Sequence, residues 1–579
     1  MDIQRTILLV IFGMSMMFLW DAWQKHQGRP SMFTPPVVAE QKGATPPTAP
    51  APAKAAVPGE VPAAPAAAVA APTAAVPAVV APAAVAVERL KIETDMVRAE
   101  IDPTGAVLAQ VELRKQKVAP DWTAAGLIGM ITGKKHDASA SVMLLEWNKN
   151  RVYLARTGLT GPAGVLFPNH LTPFTPVPGP RTLADGKDTL EVAFEASAGG
   201  LKLVKTYVFK RGRYDIEVRH DLRNESDAPV SPSVYLQLVR DGNKPAGESA
   251  LYYTFTGPAV YDETQKFRKV EFSAIEKGKA EHVKQARDGW IAMIQHYFVS
   301  AWVPEQGRSR DIRTAQEGPN LYSVTTVMPL DAVAPGAAAS SKATLWVGPQ
   351  DQEPLAAVAP GLDLVVDYGW LTVLSKPLFW LLNVLHGLTG NWGWAIVLLT
   401  VLVKAAFYPL SAASYRSMAK MKEVTPRLMA LREKFGNDKQ KLNMAMMELY
   451  KSEKINPLGG CLPIVVQIPV FIALYWVLLA SVEMRNQPWM LWVQDLATPD
   501  AWFILPALMM ASMWFQYKLN PTPPDPVQAK VMAVMPFIFG VMFFFFPAGL
   551  VLYWLVNNLI SIAQQWYITK QIAGAKKVG

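Results

Sequence analysis

The chain has 579 residues, 51% of them hydrophobic, with 56 Lys and Arg against 47 Asp and Glu. It is too long for a single core and too apolar towards its C-terminus to be wholly soluble. Its one cysteine, Cys461, excludes an intramolecular disulfide framework, and the formal charge of +9 does not point to DNA, because the basic residues cluster where membrane topology requires them.

Residues 6–20, TILLVIFGMSMMFLW, form a short apolar run after Arg5, and no small-x-small cleavage site follows it. This predicts an uncleaved N-terminal membrane anchor over 1–23. From 24 to 87 the chain is dominated by Ala, Pro and Val, a composition that makes an extended linker and builds no core.

Over 88–350 the pattern turns to period two. In LKLVKTYVFKRGRYDIEVRHDL, residues Leu201, Leu203, Tyr207 and Phe209 fall on alternate positions of one face, Arg211-Gly212 makes a turn, and Tyr214, Ile216, Val218 and Leu222 resume the pattern. Similar runs at 190–196, 233–239 and 321–328 predict a large antiparallel β domain. It contains no metal-ligand spacing and no nucleophile motif. A docking surface and a structural spacer are both open readings.

The segment 351–390 is a connector. Its end, LTVLSKPLFWLLNVLHGL, is interrupted by Pro377 and polar residues, which predicts an amphipathic helix lying on the membrane surface. Beyond it, the runs 391–410, 461–482 and 501–517 contain no Asp, Glu, Arg or Lys except Lys404. A further uncharged stretch from Val531 to Thr569 would make a helix of about 58 Å, against roughly 30 Å of hydrocarbon, so the chain must turn within it, at FFFFPAGL. The prediction is a five-span core over 391–569, or six spans with the anchor. Two of these spans, 501–517 and 531–546, reach only about 24–26 Å, which predicts a locally thinned bilayer.

Ten Lys and Arg lie between Ser411 and Gly460, one Arg lies between Glu483 and Asp500, and the tail 570–579 is again basic. The loop 411–460 and both termini are therefore expected in the cytoplasm, and the β domain outside. That loop reads as a helical hairpin: Asn437 or Asp438 caps its second helix, and Asn456-Pro457 stops it. Six of the 24 methionines fall in it. They suit either the hairpin's own core or adaptable contacts with apolar partners. Its basic residues suit ribosomal RNA as well as topology.

Lys404 sits inside an apolar run with Thr400, Tyr408 and Ser411 at helical spacing. The last span adds Trp554, Asn557, Asn558, Ser561, Gln564 and Gln565, and the others add Gln467, Ser512 and Gln516. On the expected topology nearly all of these fall in the cytoplasmic half. A channel needs polar lining from face to face, and a transporter needs a midplane site with coupling carboxylates; neither pattern is present. A polar half-cavity closed on the outside fits instead. A charge in the bilayer costs about 2.5–3.5 kcal/mol on insertion scales, so Lys404 either faces that cavity or snorkels to the inner surface.

The segments NPLGGCLPIVVQIPVFIALYWVLLASVEMR, VDYGWLTVLSKPLFWLL, FPAGLVLYWLVNNLISIAQQ and KAAFYPL closely resemble the YidC-type membrane protein insertases of the Oxa/Alb superfamily. The resemblance runs the whole length of the chain and is most specific in the core. It implies a β-supersandwich outside the membrane and a hydrophilic groove open to cytoplasm and lipid. It further implies a hairpin that receives substrates, and cooperation with the Sec translocon, the ribosome and the signal recognition pathway. In the family a positive residue in the groove, usually Arg, contacts substrate; here Lys404 matches it, a point charge in place of a bidentate fork. Thr400, Gln516 and Trp554 match other groove positions, with Gln467, Asn557 and Ser561 beside them, and Met418, Met421, Arg427, Met446 and Met447 are the hairpin contacts. Cys461 matches the family motif and reads as packing. The expectation is a non-enzymatic insertase and chaperone of the bacterial inner membrane without metal or cofactor. It takes nascent membrane proteins from the cytoplasm into the lipid bilayer. A structural assembly factor docking through the β domain remains the alternative.

Overall fold

A computed structural model describes residues 88–118, 139–245, 254–435, 438–453, 462–520 and 526–578. The expected anchor, the linker, Cys461 and the stop at Asn456-Pro457 lie outside the described residues.

Alternating side chains between Leu90 and Pro349 build two nine-stranded antiparallel sheets. The centre of one is formed by Val152–Thr160, Ser233–Asp241 and Leu321–Pro329, and the centre of the other by Phe298–Pro304, Ala338–Pro349, Asp215–Asn224 and Leu201–Lys210. The expected hairpin forms with Phe209 opposite Ile216 and Leu203 opposite Leu222, so its apolar residues share one face. The sheets pack face to face over a single apolar core that includes Trp290, Trp302 and Trp346. Each indole removes roughly 150–250 Å² from water, about 4–6 kcal/mol as an upper estimate.

Polar ties cross this core. Tyr153 Oη lies 2.6 Å from Ser300 Oγ and donates to Met293 O at 3.0 Å, while Trp302 Nε1 donates to Gln237 O at 3.2 Å. Lys205 is fully buried and donates to Gly105 O at 2.6 Å and Thr157 O at 2.8 Å.

Helices α1 (Phe272–Glu276) and α2 (Gln352–Val358) accompany the sheets. Helix α3 (Thr372–Thr389) follows, with Ser375, Leu382 and Leu385 buried and the apolar Val373, Trp380 and Leu388 exposed. Gly390 ends it at φ +64°, its N–H reaching His386 O at 2.7 Å; Asn391 then caps α4 (Trp392–Ala406) by accepting from Trp394 N.

The apolar run 391–410 does not form one helix. α4 stops at Ala406, and α5 (Tyr408–Phe435) leaves at 67°. Pro409 supplies the cause: it has no N–H for Ala405 O, its ring excludes the preceding turn, and it is tolerated in the first turn of a new helix. α6 (Lys439–Ser452) returns against α5, capped by Asp438, which accepts from Lys441 N at 3.1 Å.

The remaining helices are α7 (Leu462–Ala480), α8 (Ile504–Leu519), α9 (Pro526–Phe543) and α10 (Ala548–Val578). α10 packs against α4, α5, α7 and α8. Among the described residues no single helix is long and apolar enough by itself to cross a membrane, and only the bent pair α4–α5 passes that test together. The turn expected at Pro547 is present. Ala548 N and Gly549 N, at the start of α10, donate to Thr498 O (2.7 Å) and Leu496 O (2.9 Å) of the loop before α8, which satisfies donors left free at a helix N-terminus.

Candidate substrate groove

Lys404 lies in the last turn of α4, where the helix dipole favours a cation. It does not snorkel: the residue is only 4% exposed. Its ammonium donates to Ser561 Oγ of α10 at 2.7 Å, and that hydroxyl donates in turn to Asn557 O at 2.7 Å, one turn back. Gln467 of α7 reaches Asn557 Oδ1 at 3.4 Å, and Tyr415 of α5 also bonds Ser561. Four helices thus bring Lys404, Tyr415, Ser561, Asn557 and Gln467 into one polar row. Among the described residues Lys404 has no ion pair, and Ser561 engages one of its three donors.

The polar residues of the last span do not form a single stripe. Asn557 and Ser561 face α4 and α7, whereas Asn558 donates to Ser512 Oγ at 2.8 Å and Gln565 to Asn520 Oδ1 at 3.0 Å, tying α10 to α8. Residues 557 and 558 are about 100° apart on a helix of 3.6 residues per turn, so the two rows serve different neighbours. Thr400 spends its hydroxyl on Ile396 O at 2.7 Å in its own helix. Gln516 is half-buried on α8 and makes no hydrogen bond to the Lys404 row. Tyr408, expected to continue that row, lies beyond the bend and is exposed.

Trp554 departs furthest from its expected polar setting. It stacks on Phe471 (5.7 Å between centroids) and Tyr475 (6.4 Å) and lies 4.5 Å from Phe543, one turn from Asn557. The polar row therefore ends against an aromatic block. The buried indole N–H has no partner among the described residues. Tyr415 and Asn520 were not singled out from the sequence; the continuing spacing 408, 411, 415 was the available signal for the first, and nothing marked the second.

In the hairpin, Met421 and Met446 pack with Val424, Leu428, Leu449 and Tyr450 to form its own small core, and Met418 is half-buried. Met447, Met444 and Met429 are exposed, and exposed Arg427 pairs with Glu453. Met421 and Met446 therefore belong to the hairpin's own core, and the three exposed methionines do not.

A two-sheet domain joined to a bundle of apolar helices around a buried lysine defines an integral membrane protein with one large domain outside the bilayer. Residues 384–576 match the family described as 60Kd inner membrane protein, and residues 89–381 match the YidC periplasmic domain. The chain is 57% identical to the membrane protein insertase YidC of Bordetella petrii, covering 99% of this chain and 98% of that protein. It is 53% identical to that of Cupriavidus necator, covering 100% and 99%. A crystal structure of an active YidC insertase with its first transmembrane domain resolved aligns with TM-score 0.38 and 18% identity, over 83% of this chain and 93% of that one. The chain belongs to the YidC family of membrane protein insertases, inner membrane proteins with a periplasmic domain.

Proposed function

We propose that the protein receives nascent membrane proteins from the cytoplasm and releases their helices into the bilayer, alone or with the Sec translocon, with the hairpin and the C-terminus on the cytoplasmic side. The polar row around Lys404 takes the short hydrophilic end of the incoming segment. The exposed methionines of the hairpin meet its apolar part first, beside the ribosome and the signal recognition pathway, and the apolar helix then slides along α4 and α7 into lipid. Burial of the substrate's own apolar surface drives the step, at about 25 cal/mol per Å².

One observation carries this reading: Lys404 is buried with a single hydroxyl as its bonded partner among the described residues, so it has donors to offer an incoming carboxylate or carbonyl. The aromatic block around Trp554 supports closure on the outer side.

The test is protease protection of a small single-span protein synthesised beside liposomes that contain only this purified chain. Lys404→Leu is expected to reduce protection at least tenfold for substrates with acidic or polar translocated ends, and less for apolar ones, while Lys404→Arg retains most of it. Equal protection of every substrate by Lys404→Leu would remove the lysine from the mechanism. No protection by the folded parent chain would favour an assembly factor.

A further inference from the structure

A cavity of about 80 Å³ lies where the β domain meets the outer end of α7. One wall is the tip of the β-hairpin joining Trp290–Gln295 to Phe298–Pro304, and another is the last turns of α7, with Trp476, Leu479 and Ala480. The hairpin turn consists of His296 and Tyr297. His296 Nε2 meets Leu479 O at 3.1 Å, and Tyr297 sits at φ +67°, a conformation that bulky residues rarely adopt and that tends to occur at binding sites. The hairpin tip is therefore fixed on the helix end with space left beside it.

The lining is mostly apolar, but Lys269 and Asp367 form an ion pair there. Their side chains are 25% and 46% exposed, so the pair is weak and opens readily. The ammonium also lies 5.2 Å from the centre of the Phe255 ring. A tryptophan at the outer end of a membrane helix marks headgroup depth.

We propose that this cavity holds the headgroup of one outer-leaflet phosphatidylethanolamine. Its phosphate pairs with Lys269, its primary ammonium pairs with Asp367, and its glycerol and first methylenes lie along Val365, Trp476 and Leu479. A zwitterion converts one exposed ion pair into two, with charges in matching order. Phosphatidylglycerol offers Asp367 only neutral hydroxyl donors and no cation, and phosphatidylcholine has no N–H to donate. This inference rests on the β domain lying outside the membrane and is independent of the insertion step.

Native mass spectrometry of the full chain, released from nanodiscs of equimolar phosphatidylethanolamine, phosphatidylglycerol and phosphatidylcholine, reads the bound lipid directly. One retained phosphatidylethanolamine is expected, at least tenfold enriched over the other two. Asp367→Asn should erase the preference over phosphatidylglycerol, and Lys269→Gln should erase retention. Ala480→Phe narrows the cavity while leaving the ion pair intact, so it should also abolish retention and covers the case in which a charge variant fails to fold. Equal retention of the three lipids, or an undiminished preference in Ala480→Phe, would overturn the site. Equally tight binding of soluble glycerophosphoethanolamine would overturn the lipid as its source.

Discussion

Among the described residues two lysines are buried, one in each region, and their surroundings differ. Lys205, between the sheets, is held by two backbone carbonyls and lies 5.1 Å from the centre of the Phe174 ring. Lys404, between the helices, is held among the described residues by one hydroxyl. Lys205 is enclosed by the fold that positions it, whereas Lys404 is positioned with donors to spare. Burial alone does not distinguish the two lysines; the number of bonds each already makes does.

Exchanging each lysine for methionine is the strongest way to break this contrast. Lys404→Met is expected to lower insertion of acidic-ended substrates at least tenfold while changing stability by less than ~1 kcal/mol, because it removes one hydrogen bond and relieves a desolvated charge. Lys205→Met strands the Gly105 and Thr157 carbonyls and should destabilise the β domain by about 2–4 kcal/mol, with insertion unchanged while the domain stays folded. Thermal melting followed by tryptophan fluorescence, run beside the insertion assay, separates the two. Matching losses in both assays for both variants would abolish the distinction.

pH sharpens the same contrast. Burial pushes His220, hydrogen-bonded to Thr157 Oγ1 at 2.9 Å, down to about 3, and the Lys205 charge adds to this. The folded state then binds fewer protons than the unfolded one between pH 3 and 6.5, so the stability this histidine confers is complete above 6.5 and is lost as pH falls towards 3, a few kcal/mol in total. His296, pushed by burial to about 4, acts in the same direction. Burial lowers Lys205 to about 7, so its contribution grows as pH rises from 7 towards 10.5. The melting temperature of His220→Gln should fall less steeply with acid than that of the parent; parallel curves would refute the assignment.

The smallest effect is expected where α10 meets α8. Asn558→Leu removes the bond to Ser512, and such interhelical bonds average about 0.6 kcal/mol in a membrane. Insertion should be unchanged. A large loss of insertion would place this second row in the groove as well.

The β hairpin around Arg211-Gly212 was legible because a period of two has one structural meaning when half the residues are apolar. The turn at Pro547 was legible because 39 uncharged residues overrun the bilayer. The break at Phe407 was not read, although Pro409 signalled it, because the hydropathy on either side is continuous. The division of the last span into two rows could not be read from spacing either: Asn557 and Asn558 are adjacent and chemically identical, and only the neighbouring helices decide which one faces Lys404. The aromatic stack of Trp554 could not be read from spacing, because an indole suits a polar wall and an aromatic stack equally well, and Phe471, Tyr475 and Phe543 are distant from it in sequence.

The bend after Ala406 has a mechanical consequence. Phe407 is a one-residue joint, and the 28 residues of α5 form a lever about 42 Å long. Rotation of this lever by 10° displaces its far end by about 7 Å, more than one helical turn. Lys404 stands three residues before that joint, so a small adjustment of the backbone beside the buried charge would be amplified into a large sweep of the far end of the hairpin.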